Sequence, residues 1–301
     1  MKENKVVYGL IGYGGMGRWH TEILSNVSEA VIGGIYDIKK EKREEAKEKG
    51  FSVYETEEAM LADPDIDVVL IATPNDCHKP IAIRAMHAGK NVISEKPVTL
   101  SSADLLEMEN AAKETGKLLT VHQNRRWDDD FLIIKKLVEE QKLGHVFRIE
   151  SRVHGSRGIP GDWRKEKAHG GGMVLDWGVH LLDQILYMYG DRKIETVYAS
   201  LTNVTNQEVD DGFTAILTFE GGTEVLVEVG TNNYISLPRW YVLGEDGTAV
   251  IRDWQLNGEI IRKTGMTEET VVPVKTAAGL TKTMAPRRED TIVKEDLPKV
   301  S

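Results

Sequence analysis

Six residues near the start of the chain, Gly12-Tyr13-Gly14-Gly15-Met16-Gly17, constrain its fold more than any other stretch. They match G-x-G-x-x-G and stand between an apolar run, Val6–Ile11, and a helix candidate, Met16–Val27. Glycine lacks a Cβ, so it permits a tight strand-to-helix turn and lets backbone N–H groups approach a pyrophosphate. The helix N-terminus then faces the phosphate charge. Asp37 closes the next apolar run about 20 residues further on, where an acid can accept hydrogen bonds from ribose hydroxyls. The candidate cofactor residues of this stretch are therefore Gly12, Gly14, Gly15, Met16, Gly17 and Asp37.

The rest of the first 122 residues repeats the same unit. Val6–Ile11, Ala30–Tyr36, Asp67–Ile71, Asn91–Ser94 and Leu118–Val121 read as buried strands. Met16–Val27, Lys39–Lys49, Glu57–Leu61, Cys77–Ala88 and Ser101–Thr115 read as helices between and after them. Ser101 followed by Asp104 resembles a capping box, and Gly89 and Gly116 fall where helices should stop. Strand–helix alternation of this kind predicts an α/β fold, with residues 1–122 a Rossmann domain built on a doubly wound parallel sheet. A chain of 301 residues has room for a second domain. From residue 123 the pattern changes. A helix, Asp129–Gln141, precedes a strand, Val146–His154, then a triple glycine, Gly170–Gly172, and a helix running to about Tyr189. Strands with turn signals follow from Ile194 to Ile251. Residues 123–301 are expected to form an α+β domain with a large open mixed or antiparallel sheet. The polar stretch beyond about residue 265 carries no assignment.

Composition excludes several classes of function. Acidic residues outnumber basic ones, 48 to 38, for a net charge of −10, and no basic run offers a nucleic-acid footprint. Cys77 is the one cysteine, so neither a disulfide within the chain nor a cysteine zinc cage can form. No segment has the 18 or so apolar residues of a membrane span, and the start of the chain lacks a cleavage-site pattern. A cytoplasmic protein with neither nucleic-acid nor membrane partners is the expectation.

In doubly wound sheets, ligands lie beyond the carboxyl ends of the strands. Two candidate segments fall there: Ala72-Thr73-Pro74-Asn75, and Glu95-Lys96-Pro97. A lysine directly before proline is held in extended backbone, which distinguishes Lys96 from a freely solvated surface lysine. A second constellation is Asp176-Trp177-Gly178-Val179-His180, with Asp183 one turn on. On an α-helix Asp176, His180 and Asp183 share one face, beside an apolar stripe of Leu175, Val179, Leu182 and Leu186. Histidine shuttles protons near neutral pH, and an acid one turn away can orient it. Gly178 costs such a helix roughly 1 kcal/mol against alanine. Neither H-E-x-x-H nor a Cys/His ligand spacing is present, so no metal is expected. His154, Trp163 and Tyr234 are polar or aromatic candidates for lining a sugar site.

Taken together, these residues resemble the glucose–fructose oxidoreductase/inositol dehydrogenase family, Gfo/Idh/MocA. The matching features are Gly12–Gly17, Ala72-Thr73-Pro74-Asn75 with His78, Glu95-Lys96-Pro97, and Asp176-x-Gly178-x-His180 after the triple glycine. Asn124-Arg125-Arg126-Trp127 looks like the family's crossing into its second domain. Within the family, the branch containing scyllo-inositol dehydrogenases is the most similar.

The resemblance implies an NAD-dependent oxidoreductase that moves a hydride to or from a secondary hydroxyl of a sugar, sugar derivative or inositol. It implies that Thr73, Pro74, Asn75, His78, Glu95 and Lys96 contact the cofactor. It also implies that Lys96 touches the reacting hydroxyl, that His180 accepts or donates the proton, and that Asp176 and Arg126 lie in the substrate site. NAD is expected over NADP because Asp37 would repel a 2′-phosphate. The polyhydroxylated substrate would be served by a homodimer or homotetramer, since the strand-rich second half has few helices to cover its sheet. Two other readings share these motifs: an NAD-dependent glycosidase or lyase that oxidises its substrate transiently, and a non-enzymatic dinucleotide sensor, which would need neither Lys96 nor His180. Family members usually carry further helical sequence after the point where this chain ends, so a short form or an incomplete chain is expected.

Overall fold

The protein is described by a computed structural model covering residues 5–266, 272–281 and 285–300. The chain divides into two compact units, Met1–Gln123 with Pro160–Val179, and Asn124–Ile159 with His180–Ser301. The segment Pro160–Val179, which follows the domain boundary expected near residue 123, therefore returns to the first unit. No helix among the described residues is long and apolar enough to cross a membrane.

The first unit contains five parallel strands, β1 (Val6–Ile11), β2 (Ala30–Tyr36), β3 (Val68–Ile71), β4 (Asn91–Ser94) and β5 (Leu119–Val121), in the order β2-β1-β3-β4-β5. Five helices accompany them: α1 (Gly15–Leu24), α2 (Lys40–Glu48), α3 (Glu57–Ala62), α4 (His78–His87) and α5 (Ser102–Thr115). Alternate strand residues feed two separate cores. Val7 and Ile11 of β1 and Val69 and Ile71 of β3 pack with Ala82, Met86 and Met108, while Leu10 and Leu70 pack with Tyr13, Ile35 and Ala46. Each fully buried aliphatic side chain contributes about 1.5–3 kcal/mol, so both sheet faces must be covered and the strands read as unbroken apolar runs. Ser101 caps α5 as its sequence suggests, its Oγ accepting the Asp104 N–H at 3.1 Å. Strand order reverses at β1, which leads to β2 on one side and β3 on the other. That reversal places the ligand crevice of a doubly wound sheet at the carboxyl end of β1.

The second unit begins with α6 (Asp129–Glu139), β6 (Val146–His154) and α7 (Val179–Tyr189). Six further strands follow: β7 (Ile194–Thr202), β8 (Gly212–Phe219), β9 (Glu224–Gly230), β10 (Trp240–Gly244), β11 (Gly247–Ile251) and β12 (Gly258–Lys263). A small hairpin of β13 (Val274–Thr276) and β14 (Gly279–Thr281) precedes β15 (Ile292–Glu295). The main sheet has eight strands in the order β15-β12-β11-β10-β6-β9-β8-β7. It is mixed, because β6 and β9 run parallel while its other pairs are antiparallel. Residues on one face are buried, including Phe213, Ala215, Leu217, Val225 and Val227. Tyr189 of α7 stacks on Phe219 at 4.7 Å between ring centroids, and Phe131 of α6 meets Trp240 at 6.4 Å.

The helical stretch before Tyr189 is not uniform. Val174–Gly178 forms a π turn and only from Val179 is the helix α. Asp176 and His180 share one face only where the helix is α throughout, and a wider turn changes that phase. The buried stripe of α7 is Leu181, Gln184, Ile185 and Tyr189, and Leu186 is exposed. This helix carries apolar residues on more than one face, so periodicity alone could not choose between them.

Candidate cofactor and active site

The glycine turn has the geometry of a dinucleotide cradle. Gly12 has φ +96°, and a Cβ there would stand 2.5 Å from the Ala72 carbonyl oxygen. A Cβ on Gly17 would stand 2.1 Å from the Gly12 oxygen, so α1 can approach β1 only with glycine at that position. Gly14 and Gly15 differ: a Cβ on either would meet no protein atom within 4 Å, which leaves open space against the backbone. Met16 lies half-buried in the first turn of α1. That turn has no side-chain cap and no acidic residue, so its N–H groups and dipole remain directed at whatever anion enters. Asp37, just past β2, accepts the Tyr13 N–H at 2.7 Å through Oδ2 and the Lys39 N–H at 2.8 Å through Oδ1. Each oxygen keeps a lone pair for a ribose hydroxyl. These residues fit NAD.

The strand ends supply the next group. Thr73, Pro74 and Asn75 follow β3, and Asn75 is buried with its Nδ2 donating to Gly170 O at 2.8 Å. This bond ties the strand end to the triple glycine. His78 is fully buried, with Nδ1 on Pro97 O at 2.8 Å and Nε2 on Thr73 O at 3.0 Å. Burial pushes its pKa down. A neutral ring carries one N–H, so His78 donates to one of these two carbonyls and packs against the other.

Lys96, after β4, donates from Nζ to Asp176 O at 2.9 Å and to Asp176 Oδ1 at 3.1 Å. These two residues stand 80 positions apart in sequence, and the return of Pro160–Val179 to the first unit brings them together. Arg164 completes the group, with Nε 3.2 Å from Asp176 Oδ1. Burial by itself would raise the Asp176 carboxyl, but Lys96 and Arg164 outweigh it and hold the group below the usual carboxylate range. His180 is buried at 4% exposure on α7, directly after the π turn that carries Asp176.

Of the remaining candidates, Trp163 belongs to the first unit and Arg126, His154 and Tyr234 to the second. Arg126 is committed to Asp183 through two bonds, Nε to Oδ2 at 2.7 Å and Nη2 to Oδ1 at 2.6 Å, and lies over the Tyr187 ring. His154 ends β6 with its side chain 2% exposed, accepting the Leu237 N–H at 3.2 Å. Trp163 lies in the returning segment under the Arg164 guanidinium, and Tyr234 is 84% exposed after β9.

Three participants had no motif to announce them: Arg164, His20 and His122. Glu95 Oε1 is bonded to His20 Nε2 at 2.6 Å and to His122 Nδ1 at 3.0 Å. By residue type this cluster could hold a cation. In the geometry present, both imidazoles are hydrogen-bonded to the one carboxylate oxygen.

Comparison with known proteins agrees with this geometry. Residues 6–123 match the family model GFO_IDH_MocA, described as an oxidoreductase family with an NAD-binding Rossmann fold, and residues 131–250 match the GFO/IDH/MocA C-terminal domain. The chain is 30% identical to scyllo-inositol 2-dehydrogenase (NADP(+)) IolW of Bacillus subtilis (strain 168), over 83% of this chain and 69% of that protein. It is 31% identical to myo-inositol 2-dehydrogenase of Thermotoga maritima, over 71% of this chain and 65% of that protein. Among solved structures, an NAD-binding protein from Listeria innocua superposes with a TM-score of 0.96 at 52% identity, covering 99% of this chain and 86% of that one. The chain spans between about half and about two thirds of the length of the curated relatives it matches.

Proposed function

The chain belongs to the Gfo/Idh/MocA oxidoreductase family, and on that premise we propose that it is an NAD-dependent dehydrogenase acting on a secondary hydroxyl of a sugar, sugar derivative or inositol. The observation that carries this reading is the Lys96–Asp176 pair, which sets an ammonium group at the end of β4 in the unit that holds the glycine cradle. When bound, the nicotinamide supplies the hydride acceptor or donor.

The chain's own residues handle the proton and the charge. An ammonium has three N–H donors, and Lys96 commits two to Asp176. The third donates to the substrate oxygen and stabilises the alkoxide that develops as hydride leaves. His180 takes the hydroxyl proton in oxidation and returns it in reduction. Asp176 and Arg164 hold Lys96 in a fixed field and offer further polar contacts to neighbouring hydroxyls. Asp37 takes the adenine-side ribose, which favours NAD over NADP; the NADP(+) in the Bacillus subtilis relative's name makes this the point to measure. We also propose a cytoplasmic homodimer or homotetramer. A screen of polyols, inositols and sugars for NADH formation tests the reading. Steady NADH production from at least one cyclic polyol or sugar supports it. Turnover with no net NADH and NAD returned unchanged would favour transient oxidation.

A further inference from the structure

Glu95 does more than precede Lys96 in sequence. Its Oε1 is bonded by His20 from α1 and by His122 from just past β5. Its other oxygen, Oε2, accepts the main-chain N–H of Lys96 at 3.2 Å. His20 and Glu95 are 4% and 5% exposed. The two imidazoles meet edge to face at 4.7 Å, and the Trp19 ring lies 5.4 Å from one and 5.9 Å from the other. An imidazole N–H from each ring can donate to the charged Glu95 oxygen. A buried carboxylate without such partners would be strongly unfavourable. Burial raises the Glu95 carboxyl, and the bonds from His122 and His20 outweigh it and keep the group ionised.

The Lys96 backbone is thus held from both sides. Glu95 grips its N–H, and the buried His78 ring packs with Nδ1 2.8 Å from the carbonyl oxygen of the next residue, Pro97. His20 lies on the helix that opens at the glycine cradle, so the clamp ties that helix to the strand end carrying the ammonium. We propose that His20, Glu95 and His122 form a positioning unit for Lys96, fixing the main chain from which its ammonium reaches Asp176 and the substrate oxygen. The catalytic part of this inference rests on the function proposed above; the clamp itself does not. A misplacement of about 1 Å at a reacting group can cost about 100-fold in rate, which sets the scale of the effect.

The test uses the NAD-loaded protein and His122, the most accessible member, with its side chain 28% exposed. His122→Ala removes the N–H donor, whereas His122→Asn replaces it with an amide N–H near the same place. The first readout needs no substrate: the rate of Lys96 acetylation by acetic anhydride, measured by mass spectrometry against exposed Lys113. A rise of about threefold or more in His122→Ala and Glu95→Gln, reversed in His122→Asn, is expected. With a substrate from the screen, His122→Ala should lower kcat about tenfold while KM and NAD affinity stay within threefold. In a Lys96→Ala background the same substitution should change the residual kcat less than twofold, because its effect runs through Lys96. Unchanged Lys96 labelling, or an equal loss of kcat in both backgrounds, overturns the proposal. Altered labelling in a protein that oxidises no polyol supports the clamp and counts against the dehydrogenase reading instead.

Discussion

At the scale of single residues, the proposed mechanism gives Lys96, Asp176 and His180 separable roles. Lys96→Ala and His180→Ala should each lower kcat by about 100- to 10,000-fold, the usual range for a general acid–base group, while leaving the NAD dissociation constant within a few-fold. Steady-state kinetics with calorimetric NAD binding measure both; a His180→Ala enzyme within threefold of wild type ends its assignment. Asp176 makes a stability prediction. Its carboxyl is depressed in the fold. Such a group contributes stability that is fully present above its unfolded pKa, near 3.9, and is lost as pH falls through the lower folded value. Asp176→Asn should therefore cost about 1–3 kcal/mol at pH 7, and the gap in Tm from wild type should shrink below about pH 4. A gap that stays constant from pH 7 to pH 3 would show that the charge of Asp176 contributes nothing. On the proposed reading Asp37 sets cofactor choice: a carboxylate beside the adenine-side ribose would oppose the about −1.5 to −2 charges that NADP carries at the 2′ position, so NAD should be preferred by kcat/KM about 100-fold, with the preference falling in Asp37→Ser. Arg43, which donates to Asp37 O at 2.8 Å, and neighbouring Lys39 are the cations that would weaken this preference.

At the scale of elements, the glycine turn separates fold from ligand. Gly17→Ala forces a Cβ against the Gly12 oxygen, so it should lower Tm in the absence of NAD and weaken NAD binding at least tenfold. A Cβ on Gly15 meets no protein atom within 4 Å, so Gly15→Ala should leave the NAD-free Tm within about a degree and shift only the NAD affinity. Equal Tm losses in the two variants would show that the turn is not shaped for a ligand. The first unit was legible in the sequence because parallel strands buried on both faces must be apolar runs bounded by glycines and caps. Each of its five strands lies within a residue of where that pattern puts it. The eight-stranded sheet was legible as strand-rich, but not in its order: β6 pairs with β10 and β9 across long intervening chain, and local alternation carries no information about that. The candidate site was legible where a motif existed. Arg164, His20 and His122 were not, because a lone basic side chain in a turn or helix has no period, and each acquires meaning only from a carboxylate far along the chain. The π turn at Val174–Gly178 was hidden for a similar reason, since its one extra residue per turn leaves an apolar stretch looking helical either way.

At the scale of the whole molecule, the second unit ends its sheet on an exposed strand. Among the described residues β7 pairs only with β8 and stands at the margin of the eight-stranded sheet, so no described strand meets its outer row of N–H and C=O groups. Val197, Tyr198 and Leu201 are 65%, 63% and 56% exposed, and they fall on both faces of the strand. Natural edge strands are protected by lysine, proline, a bulge or extreme shortness. β7 is nine residues long, contains neither lysine nor proline, and has its one register irregularity at the very start, between Ile194 and Thr196. The chain's net charge of −10 opposes nonspecific association, so a partner for this strand would have to match it closely. On the proposed oligomer a second copy would supply that match by symmetry, because a two-fold axis sets the same patch against itself. Light scattering at micromolar concentration should therefore give a mass at least twice the 33.7 kDa of the chain. Placing like charges in the patch, as in Val197→Asp with Tyr198→Asp, sets them against their own symmetry mates and should release the single chain, while leaving Tm at low concentration nearly unchanged. A wild-type species of 33.7 kDa at micromolar concentration, or a double variant that assembles as wild type does, would show that β7 is not the self-association surface.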